Sequence, residues 1–243
     1  MKKYLLPAVL VCVMWLSIGA SAEPVLQLYI PGAAYDALSE TWAISGASTF
    51  DIWAVAYLGN PTTGGVYDVK LAVAYQHGSG TTLSIAPATT GGYGGFTDPD
   101  TPVAPTLLQT VTNGAAPKTG DGANLPSHGI YGAGTDWSEY ALGDFTAKSS
   151  PCADFINAMP SPGSTNCQIN AYTVTITGGS SPWIHFDLYD HYVSRQGAYR
   201  YVNAPFSHDG ESDGGQVPEP ATVLLLGSGL LGLAMRLRRA MNT

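Results

Sequence analysis

The residues best suited to chemistry in this 243-residue sequence stand at every second position of one short run. His185, Asp187, Tyr189 and His191 alternate with Ile184, Phe186 and Leu188, so in an extended chain they share one face. His128 and His208 lie in other segments that folding could bring to that face. Three imidazoles and a carboxylate, from His128, His185, His208 and Asp187, would suffice to hold a metal such as zinc. The same alternation also describes the polar outer side of a sandwich strand, with Ile184, Phe186 and Leu188 turned inward. That simpler reading is the one expected here, and no metal is assigned.

Other chemical patterns are weaker. Asp209-x-Glu211-x-Asp213-Gly214 imitates the start of a calcium loop, but Glu211 stands where Asp or Asn is usual. Glu219 then falls one position short of the closing bidentate Glu. A solvated acidic linker is expected, with weak surface calcium binding as the alternative, and no cofactor. There is no nucleophile elbow, Ser-x-x-Lys, zinc-protease helix or P-loop. No catalytic residue is therefore assigned, and a non-enzymatic protein with a structural, adhesive or glycan-binding role is expected. The alternative is a surface polysaccharide hydrolase with its two carboxylates in residues 87–134. For sugar stacking, the available rings are Trp42, Trp53, Trp137, Trp183, Tyr93, Tyr131 and Tyr140. Trp53 and Trp183 read as core. Trp137 and Tyr93, in Gly-rich surroundings, are the glycan-platform candidates.

The elements that must position these groups read as strands. Residues 67–75 place Tyr67, Val69, Leu71, Val73 and Tyr75 against Asp68, Lys70, Ala72 and Ala74, a period of two. Residues 171–177 and 183–191 alternate in the same way, and 49–58 is apolar on both faces. Shorter strands are expected at 25–30, 41–45, 106–112 and 199–203. Helix-forming Lys, Arg and Glu are scarce, while Gly, Thr, Ser and Pro abound. The prediction is an all-β, two-sheet antiparallel sandwich over residues 23–206. Within it, residues 87–134 hold ten Gly and six Pro and read as a long surface excursion. Residues 207–216 read as a polar linker.

The two ends differ from the middle. Lys2 and Lys3, the apolar stretch after them and Ala20-Ser21-Ala22 before Glu23 follow the pattern of a secretory signal peptide over residues 1–22. Signal peptidase would cut between Ala22 and Glu23. At the other end, residues 221–235 are uncharged and are followed by Arg236-Leu237-Arg238-Arg239, with a tail at 240–243. Fifteen helical residues span about 22 Å, short of a ~30 Å hydrocarbon core, so this transmembrane helix would hold the chain only transiently in the inner membrane. Its arginines would stay cytoplasmic. Between the ends, residues 23–216 carry 17 acidic against five basic residues, a net charge of −12. No basic face exists to bind nucleic acid. Cys152 and Cys167 are the two cysteines left after leader removal, and an even pair in an exported chain reads as a disulfide. Closing a loop of about fifteen residues contributes ~3 kcal/mol in the loop-entropy model.

Val217-Pro218-Glu219-Pro220, the apolar helix after it and the arginines at 236, 238 and 239 resemble the PEP-CTERM sorting signal of Gram-negative bacteria. The resemblance covers 217–239. It implies recognition by an exosortase, a membrane-embedded cysteine transpeptidase-like enzyme, with processing near Pro218-Glu219-Pro220. It further implies delivery to the cell surface or the exopolysaccharide matrix. A permanent single-span anchor is the other reading. Three further patches, Leu125–Tyr131, Ile184–Tyr189 and Ala204–Asp209, resemble the choice-of-anchor N type of exported protein. That resemblance implies one exported domain and supplies no catalytic residues.

Overall fold

A computed structural model describes residues 25–36, 41–59, 62–88, 102–126, 130–152, 166–179, 181–205 and 209–212. The leader, the sorting segment, Tyr93, His128 and His208 lie outside the described residues. Every regular element described is a strand: β1 Leu26–Tyr29, β2 Ala34–Asp36, β3 Thr41–Ile44, β4 Thr49–Tyr57, β5 Thr62–Gln76, β6 Thr82–Pro87, β7 Thr106–Val111, β8 Thr135–Phe145, β9 Cys167–Gly178, β10 Ile184–Ser194, β11 Tyr199–Asn203 and β12 Asp209–Ser212.

They form two sheets. The smaller has the order β1-β4-β9-β6. The larger has the order β2-β3-β12-β10-β5-β8-β7, with β11 also paired to β10. All pairings are antiparallel except β12 with β3. One apolar core joins the sheets, drawing Leu26, Leu28, Ile52 and Val55 from one and Val69, Leu71, Phe186 and Leu188 from the other. Phe50 and Phe186 meet edge-on across it, 5.9 Å between centroids, a geometry aromatic quadrupoles favour.

The two-residue period explains this face and not the opposite one. The polar side of β10 was expected to meet solvent, yet His185, Asp187 and Tyr189 are all buried. The reason is the Gly/Pro-rich segment, part of which lies over this face. Leu125 packs on Ala72 and Tyr189, and Ile130 packs on Ala74 and Trp137. The small side chains of Ala72 and Ala74 let this second layer approach the sheet.

Two further departures bear on the site. Asp209–Ser212 is strand β12, held between β3 and β10, where a linker and a calcium-like loop were read. Its Glu211 is buried, because the sheet needs an internal strand there whatever its low β propensity. On the smaller sheet, Cys152 and Cys167 are bonded, with Cα atoms 5.2 Å apart. Ser150 exchanges backbone hydrogen bonds with Cys167, and Ala147 N–H donates to Gln168 Oε1 at 2.8 Å. The bridge thus pins the 146–152 segment onto β9.

Candidate functional site

A cleft of about 430 Å³ opens on the outer face of the larger sheet. Its floor comes from β5 and β10 (Asp68, Lys70, Asp190 and His191), with Leu108 of β7, Tyr201 of β11 and Gly120 at its edges. Neighbours in a regular strand point to opposite faces, yet Asp190 and His191 line the same cleft. At this point the β10–β5 register slips, with Asp68 and Val69 of β5 standing against Asp190 alone. Asp190 has φ +152°, a region that costs a non-glycine residue on the order of 1–3 kcal/mol. A second irregularity in β5, between Val66 and Val69, brackets Asp68 at φ +51°. A bulge re-aims side chains, and here the β5 bulge at Asp68 and the turned backbone of Asp190 direct two carboxylates into one cleft.

The electrostatics of the floor follow from burial. Asp190 is 1% exposed, and a carboxylate in that position requires compensation. Lys70 Nζ lies 2.9 Å from its Oδ2, and His191 Nδ1 lies 2.7 Å from its Oδ1. The lysine also stands 5.8 Å above the Tyr189 ring. Asp68 Oδ2 approaches the same His191 nitrogen at 3.9 Å, with its side chain 73% exposed. Around His191 stand three tyrosine rings, Tyr67, Tyr199 and Tyr201, at 6.1, 5.1 and 5.4 Å between centroids. The backbone of Gly120 rests against this group: a Cβ there would lie 2.8 Å from Tyr201 Cε1 and 3.3 Å from Asp190 Oδ1.

A separate buried polar set lies along β10. The Tyr131 hydroxyl donates to Asp187 Oδ2 at 2.5 Å, and His185 Nε2 is 3.4 Å from Asp187 Oδ1. Glu211 pairs with His185 in the β12–β10 register. Burial raises its carboxyl to about 7, with His185 acting against the rise and Asp36 adding to it. The Tyr189 hydroxyl donates to Glu139 Oε1, and Gln109 Nε2 donates to Glu139 Oε2 at 2.9 Å. Burial first, then the Glu139 hydrogen bond, drives the Tyr189 phenol upward, so it stays a proton donor.

Of the metal candidates, His185 and Asp187 come together, while His128 and His208 lie outside the described residues. Among the described residues, no three His, Cys, Asp or Glu side chains gather in a metal-holding arrangement. Trp137 is corrected as a sugar platform: it is 3% exposed, and its Nε1–H donates to Ala115 O at 2.9 Å. Trp42 and Trp53 are also buried, and Trp183 is half-buried. Of the excursion's acids, Asp121 is the one described. It accepts from the Thr119 hydroxyl at 2.6 Å and from Ala123 N–H at 3.1 Å, a turn rather than half of a carboxylate pair.

Sequence reasoning passed over Lys70, Asp68, Asp190 and the tyrosines at 67, 199 and 201. One signal was present. Asp190 falls at a position where the alternation of 184–189 calls for an inward apolar residue, and a charge there breaks the pattern.

Residues 216–239 match the family model of the PEP-CTERM protein-sorting motif. The chain carries a PEP-CTERM motif. The match spans the Pro218-Glu219-Pro220 triplet, the apolar segment and Arg236, Arg238 and Arg239. A PEP-CTERM motif marks a substrate of exosortase, exported and sorted toward the surface of a Gram-negative bacterium. It begins four residues after Ser212 closes β12, so the folded domain and the PEP-CTERM motif are joined by a very short connection. No curated protein is significantly similar to the chain.

Proposed function

We propose that this is a protein of the bacterial cell surface or exopolysaccharide matrix whose β-domain binds glycan without turning it over. The observation that carries this reading is the group of Tyr67, Tyr199 and Tyr201 around His191, at the side of a cleft that Tyr201 and charged hydrogen-bonding groups line. Tyrosine faces pack on the apolar faces of sugar rings, while a few fixed polar groups orient the hydroxyls. Tyr199 is 64% exposed, an aromatic surface left open where a ligand would cover it. The sorting motif supports the address, since exosortase substrates travel to the surface where such polymers lie. Signal peptidase would remove residues 1–22, and exosortase would act near Pro218-Glu219-Pro220 after transient retention in the inner membrane.

A glycan array and titration calorimetry on the processed protein test this. Saturable binding that falls by about tenfold or more in Tyr199→Ala, a loss of 1.4 kcal/mol or more, supports it. Binding indifferent to Tyr199 and Tyr201 refutes the cleft.

The hydrolase reading keeps one specific observation in its favour. Asp68 and Asp190 both reach His191, a carboxylate pair on β5 and β10 rather than in the excursion. Reducing-sugar release abolished by Asp68→Asn would establish it.

A further inference from the structure

The charges of the cleft are unequally matched, and the mismatch bears on its ligand. Lys70 is the one lysine or arginine among the lining residues. Its Nζ lies 2.9 Å from Asp190 Oδ2, so its charge is already met inside the protein and is not open to an anionic ligand. Arg200 of β11 does not replace it. It adjoins Tyr201 along the strand and therefore falls on the opposite face.

Asp68 is in the reverse position. It lines the cleft with its side chain 73% exposed, 3.9 Å from His191 Nδ1. Its N–H donates to Asp144 Oδ1 at 2.9 Å. Asp144 follows Gly143, itself a lining residue, so a second exposed carboxylate stands at the same rim. Among the described residues, neither carboxylate is paired with a lysine or arginine. Asp68, Asp144 and Asp190 together face Lys70 and His191, so the site keeps a negative excess even with a proton on His191. The field of the whole domain has the same sign, since residues 23–216 carry −12. Such a field draws cations to the surface and turns anions away.

We infer that the cleft takes a polysaccharide bearing free amino groups, a de-N-acetylated amino sugar, with an ammonium group on Asp68 and a sugar ring against Tyr201. This rests on the glycan reading above and narrows it. A hydrogen bond from an ammonium group to a carboxylate is charge-assisted, about twice as strong as a neutral one. N-acetylation removes that charge and brings an amide carbonyl, a second acceptor, toward Asp68. A polymer of uronic acids would meet like charge, and a neutral polymer would leave Asp68 to water. A plain polyamine carries the ammonium groups and has no ring face for Tyr201 to cover.

Titration calorimetry of the processed protein, with EDTA present to exclude bridging calcium, compares oligomers of glucosamine, N-acetylglucosamine and glucose of equal length and linkage. The glucosamine oligomer is expected to bind at least about tenfold tighter than the other two, the scale of one hydrogen bond to a charged group. Spermidine is expected to fall short of it by about the same factor. Asp68→Asn should bring the glucosamine oligomer down to parity with its N-acetylated counterpart. Asparagine tolerates the left-handed backbone that Asp68 adopts at φ +51°, so this variant keeps the fold. Asp51→Asn, on β4 of the smaller sheet, removes the same unit of charge away from the cleft and should leave the preference intact. Equal affinity for the three sugars, still weakened by Tyr201→Ala, overturns the amino-sugar inference and leaves the glycan reading standing. Binding of no oligomer overturns both. A preference that survives Asp68→Asn, that Asp51→Asn abolishes equally, or that spermidine matches also overturns the inference.

Discussion

Lys70 and Asp190 meet at 2.9 Å between β5 and β10, the carboxylate side chain 2% exposed and the lysine 21%. The contact joins the two long central strands where β5 bulges opposite Asp190 and the Asp190 backbone turns toward the cleft. It compensates a buried charge and sets the shape of the site through the same pair of side chains.

Removing the cation leaves Asp190 buried with His191 as its remaining partner. Lys70→Met is expected to lower stability by about 3 kcal/mol, the scale for breaking a buried pair. Restoring an apolar match with Lys70→Met plus Asp190→Leu should recover much of that loss. Urea denaturation of the three variants checks both expectations, and a single variant as stable as the parent would show the pair to be idle.

Gly120 tests whether the Gly/Pro-rich segment shapes the cleft. A methyl there meets Tyr201 and Asp190, so Gly120→Ala must displace one of them. The expected outcome is about tenfold weaker glycan binding, 1.4 kcal/mol, with a small change in melting temperature. Unchanged affinity would mean that the segment merely covers the sheet.

Glu211 makes the domain pH-sensitive. Its folded-state value of about 7 lies above the ordinary 4.5, so protonated Glu211 favours the folded state. The stability it contributes is full below pH 4.5, declines as pH rises toward 7, and is gone above that. The groups facing it are His185 from β10 and Asp36 from β2, while β3 places Ala43 opposite. Glu211→Gln keeps the shape without the titration. The difference in melting temperature between the variant and the parent is expected to grow from pH 4.5 to 7 in the variant's favour. Parallel curves would exclude Glu211 as the source.

Reducing Cys152–Cys167 frees the 146–152 segment from β9. The expected loss is about 3 kcal/mol from loop closure, read as a lower denaturation midpoint in reductant. A thiol assay on the unreduced secreted protein should detect none, and two titrated thiols would contradict the bridge.

Much of the fold was legible in one dimension. β5, β9 and β10 announce themselves because a period of two needs only neighbouring residues, and β4 because it is a short run apolar on both faces. β8 and β12 did not. Trp137, Ser138, Glu139 and Tyr140 of β8 mix polar and apolar residues, since that strand is covered on both sides and its Glu139 finds Gln109 and Tyr189 across the sheet. In β12, Asp-Gly-Glu-Ser reads as a turn and becomes a strand because β3 and β10 flank it.

What the sequence determined by itself is the chain's organisation and address: a leader pattern, a β-rich acidic middle, a cysteine pair and a sorting motif. These are local signals, readable from composition and order. The tertiary structure alone decided which face of β10 is covered, and that Trp137 is core while Tyr199 stands open. It also decided that Asp68, Asp190 and three tyrosines surround His191, with Lys70 on Asp190. Those facts depend on register, and a one-residue bulge changes which face a side chain occupies. No window along the chain records it, because the partner strand that defines the bulge lies more than a hundred residues away.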